Sequence, residues 1–504
     1  MNTYLGQKGY TIPKNELTPE QQKKIRNDLT IKPFTMGAPS NDTKTYPVYR
    51  ESPKKMYVPH YYGVEHFGPP KEYNISQGID INLTFNGKLR ENQEIVVNTY
   101  LKHVLTVGFG GGLLELPCAY GKTVLSLNII SHLKKKTIII VHKEFLMNQW
   151  IDRIQQFLPG ACIGKIQGPI IDIEDKDIVI CMLQSLSMKD YPASTFDSFG
   201  LTIIDEVHHI SSEVFSNALF KLVTKYMLGL SATMNRKDGT TSVFKMFLGN
   251  IIFKGKRDEE RAVTVRAIEY RVDDEEFNEV KYDYRGNPQY STMISKLCEY
   301  NHRSEFILKV LSDMLKDNPN QQIMILAHNK NVLKYLHDAI AHRNIATVGY
   351  YVGGMKETAL KETESKNIVI ATYAMAAEAL DIKTLTTLIM ATPKTDIEQS
   401  VGRILREKHS SPVVVDIVDS HQLFKNQWQK RKTFYKKENY KIIYITNIKY
   451  NKNRDYSNWK LLYTPKMEDC KSKGNNKIIA DSSDEDDESN NDTYVSEVCL
   501  LKIK

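Results

Sequence analysis

The chain has 504 residues, 41% hydrophobic and 25% charged, an ordinary globular composition with room for roughly two to four domains at about 100–200 residues each. No run of about 18 or more apolar residues predicts a membrane span, and no basic-then-apolar segment opens the chain. The net charge of +8 is uneven: seven acids and no base lie between Asp481 and Asp492, so with those set aside the remainder carries +15, which suits a polyanionic partner or a Lys-rich surface kept for solubility.

In chain order, residues 1–85 carry Tyr, Pro and Gly punctuation and read as a small accessory domain. Thr18-Pro19-Glu20-Gln21 is a capping box with Pro at the first helical position, so a helix is expected to run on to Leu29. The aromatic stretch Tyr57 to Gly63, with Phe67-Gly68-Pro69-Pro70 after it, fits packing of that domain better than base stacking. From Leu89 short apolar runs alternate with amphipathic segments. Strands are expected at Thr137 to Val141, Ile178 to Cys181, Leu201 to Ile204 and Met227 to Leu230, with Leu146, Trp150, Ile154 and Leu158 marking one helical face between the first two. Near-continuous apolar strands separated by helices predict a parallel sheet covered on both faces.

Residues 256–300 read as a charged linker containing one strand, Val263 to Val272. A second series follows: strands Gln322 to Ala327, Ile368 to Ala371, Thr387 to Ala391 and Pro412 to Asp416, and helices Asn331 to Ala341 and Asp396 to Arg406. Alternation of Tyr440, Ile442 and Tyr444 predicts a last strand near residue 446. Residues 447–504 read as a basic then acidic tail, largely disordered because its apolar content is low. The six cysteines lie far apart, without zinc spacing, and read as reduced thiols of an intracellular protein.

Three constellations carry chemistry. Leu116-Pro117-Cys118-Ala119-Tyr120-Gly121-Lys122-Thr123 breaks an apolar run into a turn and starts a helix. Backbone N–H groups at a helix N-terminus, a Lys for the outer phosphates and a hydroxyl for Mg²⁺ make a phosphate cradle. The glycines just before it, Gly108, Gly110, Gly111 and Gly112, do not complete a dinucleotide fingerprint, because Leu113 stands where the third Gly belongs. Asp205-Glu206-Val207-His208-His209 directly follows a buried strand, the edge of an α/β sheet at which ligands bind. There Asp205 can hold Mg²⁺, Glu206 can orient and deprotonate an attacking water, and His208 can bridge the acids to Ser231-Ala232-Thr233. The third is Gln399-Ser400-Val401-Gly402-Arg403-Ile404-Leu405-Arg406, in which Arg403 and Arg406 are spaced to reach one phosphoryl group from outside the cradle.

Together these segments resemble a superfamily 2 helicase of the DExH kind, from about Leu89 to about Tyr444. Leu89-Arg90 with Gln93 resembles the adenine-recognising element; Leu116 to Thr123 is similar to motif I, Gln149-Trp150 to motif Ia, Asp205 to His208 to motif II and Ser231 to Thr233 to motif III. Ile370-Ala371-Thr372 with Glu378-Ala379-Leu380-Asp381-Ile382 resembles motif V, and Gln399 to Arg406 motif VI. Gly229 to Thr233 followed by Arg236-Lys237-Asp238-Gly239 is similar to the XPB-like branch and to helicases of large cytoplasmic DNA viruses, such as the poxvirus transcript-release helicase. Ala119 and Ala379 depart from the family pattern, each standing where a Gly is usual.

The resemblance implies an α/β chain with two tandem RecA-like domains with parallel sheets, at 86–255 and 301–446, plus the N-terminal accessory domain and a disordered acidic tail. It implies ATP with Mg²⁺ between the domains. ATP would be bound by Arg90, Gln93 and residues Leu116, Pro117, Cys118, Ala119, Tyr120, Gly121, Lys122 and Thr123, the metal by Thr123 and Asp205. Glu206, Gln399, Arg403 and Arg406 would be catalytic, and His208, Ser231, Thr233, Glu378 and Asp381 would couple hydrolysis to movement. The implied partners are DNA or RNA and the transcription machinery, with no membrane; the implied protein is a monomer in the host cytoplasm or packaged in the virion. Two other readings fit part of the chain: the motor subunit of a restriction-type nuclease, and a nucleic-acid-binding protein whose ATPase is impaired at Ala119 and Ala379.

Overall fold

Two eight-stranded sheets dominate the computed structural model, which describes residues 1–33, 45–117, 120–209, 212–234, 239–255, 262–378, 382–405 and 412–466. The first sheet runs Ile170–Ile171, Ile163–Gln167, Ile178–Met182, Thr137–Val141, Leu201–Ile204, Tyr226–Ser231, Gly110–Glu115 and Ile251–Lys254, all parallel except the first edge strand. Its central strands are buried along their whole length, which is why they read as unbroken apolar runs. Helix Glu144–Phe157 presents Leu146, Trp150 and Ile154 to this sheet, as their spacing predicts.

The glycine run before the cradle has a packing cause. A Cβ on Gly111 would lie 2.7 Å from the Leu248 carbonyl oxygen and 3.0 Å from that of Met227, and one on Gly112 would lie 2.6 Å from Ile252. Strand Gly110–Glu115 is therefore built from glycine so that its neighbours can close on it.

The second sheet runs Val348–Tyr351, Ile368–Thr372, Gln322–Ala327, Leu385–Met390, Val413–Asp419, Thr264–Tyr270, Lys441–Thr446 and Lys460–Tyr463, parallel except at the last edge. Two expectations change here. The strand expected inside a linker lies well within this sheet, between Val413–Asp419 and Lys441–Thr446. Beyond residue 446 the chain does not at once become a tail, because helix Asn447–Lys452 and strand Lys460–Tyr463 continue the fold. Local pattern could not place either, since strand order is set by tertiary packing: Thr264–Tyr270 is buried over most of its length between two neighbours, whereas Lys460–Tyr463 is a largely exposed edge strand. The acidic run Asp481 to Asp492 lies outside the described residues.

Strand Val413–Asp419 also carries two buried ion pairs. Arg431 gives Nε and Nη2 to Asp416 at 2.7 and 2.8 Å, and Arg303 gives the same two atoms to Asp419 at 2.6 and 2.8 Å. Arg431 Nη1 also donates to the Lys394 carbonyl oxygen at 3.0 Å, which braces the loop leading to Gln399. Arg431→Met is expected to cost about 3–5 kcal/mol, because the Asp416 carboxylate stays buried without its partner. The midpoint of urea unfolding of the second sheet would show it.

The N-terminal residues form a five-stranded sheet, and helix Pro19–Asp28 is capped reciprocally: Gln21 N donates to Thr18 Oγ1 at 3.2 Å and Thr18 N donates to Gln21 Oε1 at 2.9 Å. The aromatic stretch packs. Tyr62 is buried and donates to Asp28 Oδ2 at 3.1 Å, while Tyr61 Oη accepts from Gly111 N at 2.6 Å, fastening this unit to the glycine strand. Among the described residues, Cys162, Cys181 and Cys298 are free thiols, and no helix is long and apolar enough to cross a membrane.

Candidate ATP site and interdomain cleft

The cradle lies between strand Gly110–Glu115 and helix Lys122–Leu133, beside the carboxyl ends of the neighbouring parallel strands. Leu116 is buried and its N–H donates to the Ser231 carbonyl oxygen at 2.8 Å, extending the pairing of the two strands one residue into the loop. Pro117 closes the turn through Tyr120 N, which donates to its carbonyl oxygen at 3.2 Å. Cys118 and Ala119 lie outside the described residues. Gly121 has φ +88°, and a Cβ there would come 2.3 Å from Gln93 Nε2. The positive φ favours glycine there, and a Cβ would also push the Gln93 amide off the Tyr120 carbonyl oxygen. Gly121→Ala should therefore lower ATP affinity by about tenfold or more, consistent with a lost cradle worth about 1–2 kcal/mol, and nucleotide-binding titration would read it.

Arg90 and Gln93, expected at the adenine, are tied to this loop. Both donate to the Tyr120 carbonyl oxygen, Arg90 Nη2 at 2.5 Å and Gln93 Nε2 at 2.9 Å. Gln93 Oε1 in turn accepts from Arg90 N at 2.9 Å, so the start of helix Glu91–Val107 is locked onto the cradle. Residues that would contact the base thus also set the shape of the phosphate loop.

Lys122 Nζ lies 2.5 Å from Glu206 Oε1, which brings the cradle against the acid pair after strand Leu201–Ile204. Glu206 has φ +49°, a left-handed conformation that costs a non-glycine residue on the order of 1–3 kcal/mol and that recurs at functional sites. Asp205 is buried, and Trp150 Nε1 donates to its Oδ2 at 2.9 Å while Glu206 N donates to its Oδ1 at 3.0 Å. Burial first, then the neighbouring Glu206 charge, push the Asp205 carboxyl up from its ordinary value; Lys122 and the Trp150 hydrogen bond pull it down. A buried carboxylate so disfavoured is well suited to a divalent cation, and Thr123, half-buried on the first turn of helix Lys122–Leu133, supplies a hydroxyl beside Lys122.

The Trp150 contact is the functional detail that periodicity conceals. An indole reads as one more apolar residue of the stripe, yet its buried N–H needs an acceptor. Trp150→Phe keeps the packing and removes that donor. It is expected to cost about 1.5–3 kcal/mol, the range for a hydrogen bond to a charged group, and to raise the Mg²⁺ concentration needed for half-maximal turnover.

His208 joins the two sheets. Its Nδ1 lies 2.6 Å from Ser231 Oγ, and its Nε2 lies 3.0 Å from Gln399 Nε2. Ser231 Oγ sends its own proton to the Thr233 carbonyl oxygen at 2.5 Å. The serine therefore accepts from His208 Nδ1–H, and the bare Nε2 accepts from the Gln399 amide. A single neutral tautomer satisfies the whole series. Glu206 Oε2 is 3.4 Å from the same Nδ1, so the imidazole also touches the acid pair.

The segment carrying Gln399 differs from the long helix expected over Asp396 to Arg406. It forms a short helix, Glu398–Gly402, that tightens into a 3-10 turn, Arg403–Leu405. Gly402 weakens helix continuation, and Val401 and Ile404 anchor the turn in the core. Arg403 is 9% exposed. Arg406, Ala379 and Asp381 lie outside the described residues, and Glu378 ends helix Tyr373–Glu378.

Comparison with known proteins places this geometry. The family "Type III restriction enzyme, res subunit" matches residues 86–236, which span the cradle, the acid pair and Ser231. The chain is similar to "Putative ATP-dependent RNA helicase L396" of Acanthamoeba polyphaga mimivirus, with 35% identity over 450 residues covering 86% of this chain and 85% of that protein. It is also similar to "Putative helicase 161L" of Invertebrate iridescent virus 6, at 26% identity over 85% of this chain and 98% of that protein. Among solved structures, "The fragment structure of a putative HsdR subunit of a type I restriction enzyme from Vibrio vulnificus YJ016" aligns with TM-score 0.51 and 16% identity over 72% of this chain and 70% of that one, a likeness of fold alone. With the mimivirus protein matched along most of both chains, the protein belongs to the superfamily 2 ATP-dependent helicases, in the company of those of large DNA viruses.

Proposed function

We propose that this helicase hydrolyses ATP in the cleft between its two sheets and converts closure and opening of that cleft into movement along a nucleic-acid strand. The observation that carries the reading is the unbroken series Thr233, Ser231, His208, Gln399, which links the end of a first-sheet strand to the second sheet through contacts of 2.5, 2.6 and 3.0 Å. Lys122 would bind the outer phosphates, leaving Glu206 to orient and deprotonate the attacking water. Thr123 and Asp205 would hold Mg²⁺, which supplies charge neutralisation on the phosphate oxygens. Arg403 and Arg406 would approach from the second sheet, and Glu378 and Asp381 would answer to the strand. The first domain would span about 86–255, and the second would run beyond 301–446 at both ends, because Thr264–Tyr270 and Lys460–Tyr463 are strands of its sheet.

The polyanionic partner is nucleic acid, supported by the basic surplus outside the acidic run. RNA is favoured by the names of the mimivirus and African swine fever virus relatives, "Putative ATP-dependent RNA helicase L396" and "Putative ATP-dependent RNA helicase QP509L". The same reading gives the protein a role in viral transcription, as a monomer in the host cytoplasm or packaged in the virion. ATP turnover measured with single- and double-stranded RNA and DNA tests the reading: at least one should stimulate strongly, and no stimulation by any of them would overturn it. His208→Ala should cut the ratio of stimulated to unstimulated turnover by about tenfold, within the range of about 1–3 kcal/mol for coupling between sites. An unchanged ratio would remove His208 from the coupling path.

A further inference from the structure

The segment after strand Thr264–Tyr270 crosses the carboxyl ends of the second sheet before it enters the core. Phe277 is buried against Tyr270 and His421, and its carbonyl oxygen is 2.7 Å from His421 Nε2, beyond the end of strand Val413–Asp419. Tyr290 then sets its ring edge on His328, after strand Gln322–Ala327, and donates to the Pro393 carbonyl oxygen at 3.2 Å, after strand Leu385–Met390. Carboxyl ends of parallel strands are where α/β sheets receive ligands.

Between these anchors stands a braced turn. Asp283 Oδ1 accepts from Arg285 N at 2.8 Å and Asn287 N at 2.9 Å, Asp283 N donates to the Asn287 carbonyl oxygen at 2.8 Å, and Gln289 N closes the base on the Lys281 carbonyl oxygen at 2.8 Å. Gly286 takes φ +78°, completing the reversal, and Tyr282 faces Pro288 across it. This order is used to hold two aromatic rings in water: Tyr284 is 88% exposed and Tyr282 58%. The Arg285 guanidinium lies over the Tyr284 ring at 5.0 Å. Exposed tyrosines on a stiff turn, with a cation beside them, offer stacking area at little further ordering cost.

We propose that Tyr282 and Tyr284 form a stacking platform for an unpaired base of the bound strand, with Arg285 meeting the adjacent phosphate. This rests on the nucleic-acid reading above. The turn itself is not basic, since Asp283 and the Lys281–Glu279 pair lie beside Arg285, so the match to an unpaired base rests on the flat faces of the two exposed rings and on the one guanidinium held over Tyr284. The foot of the turn, Tyr290 on Pro393, abuts the loop that leads to Gln399, so an occupied platform would bear on the cleft.

Fluorescence anisotropy with a homopolymeric single strand, and with an abasic strand of the same backbone, tests this in the full chain. The unsubstituted protein is expected to prefer the base-bearing strand by about tenfold, the scale of one stacked base. Tyr282→Ala with Tyr284→Ala should erase that preference, whereas Tyr282→Phe with Tyr284→Phe should keep it; thermal unfolding would check that both remain folded. If the alanine pair retains the preference, or the phenylalanine pair loses it too, the platform is wrong. If the unsubstituted protein binds neither strand and its ATPase ignores nucleic acid, the underlying reading falls as well, which separates the two failures.

Discussion

Lys122→Ala is expected to lower ATP turnover by about 10²–10³, the loss seen when one preorganised donor to a developing negative charge is removed. The Lys122 ammonium lies 2.5 Å from Glu206 Oε1, both side chains being mostly buried. In the proposed mechanism a phosphate chain would compete for that ammonium and, by taking it, would leave Glu206 to act on water. The alanine variant loses both effects. It also leaves two carboxylates side by side with Asp205 already disfavoured by burial, since Lys122 is one of the groups that pull Asp205 down. Lys122→Arg would keep the charge, but a planar fork does not replace a point charge in a glycine-bounded loop, so it should rescue folding and not turnover. Steady-state hydrolysis with saturating nucleic acid measures this, and an alanine variant within tenfold of the parent would refute the cradle.

Arg403→Ala should have the larger effect, about 10³–10⁵ in kcat, if this side chain supplies charge to the phosphoryl group from outside the cradle. The geometry favours a fixed donor. Arg403 begins a tight turn whose neighbours Val401 and Ile404 are fully buried, and the preceding loop is held at Lys394 by Arg431. A turn held in this way would need little further reorganisation as charge develops. The two variants should differ in kind. Lys122→Ala should weaken nucleotide binding as well as turnover, whereas Arg403→Ala should reduce kcat with nucleotide affinity within a few-fold of the parent. Equal losses in affinity and rate for Arg403→Ala would place the arginine in ground-state binding instead.

Much of the architecture could be read locally. Strands Leu201–Ile204 and Gln322–Ala327 have the limits their apolar runs predict, because a strand buried on both faces must be apolar at every position. The capping box at Thr18 and the Gly121-Lys122-Thr123 turn were equally legible, since each depends on residues a few positions apart. Helix Glu398–Gly402 was less so; its early tightening depends on where Val401 and Ile404 are buried, which no local pattern specifies.

Sequence by itself thus determined the two α/β series, the cradle and the acid pair, because periodicity and turn chemistry act over short stretches of chain. Tertiary structure alone decided the strand order that sets Thr264–Tyr270 between Val413–Asp419 and Lys441–Thr446, and the partners that finish the site. His208 meets Gln399 across 191 residues, Trp150 meets Asp205 across 55, and Arg90 and Gln93 meet the Tyr120 carbonyl oxygen from the start of another helix. A hydrogen bond needs its atoms within a few tenths of an ångström of the right separation, and over such spans only the packing of both sheets fixes position that closely.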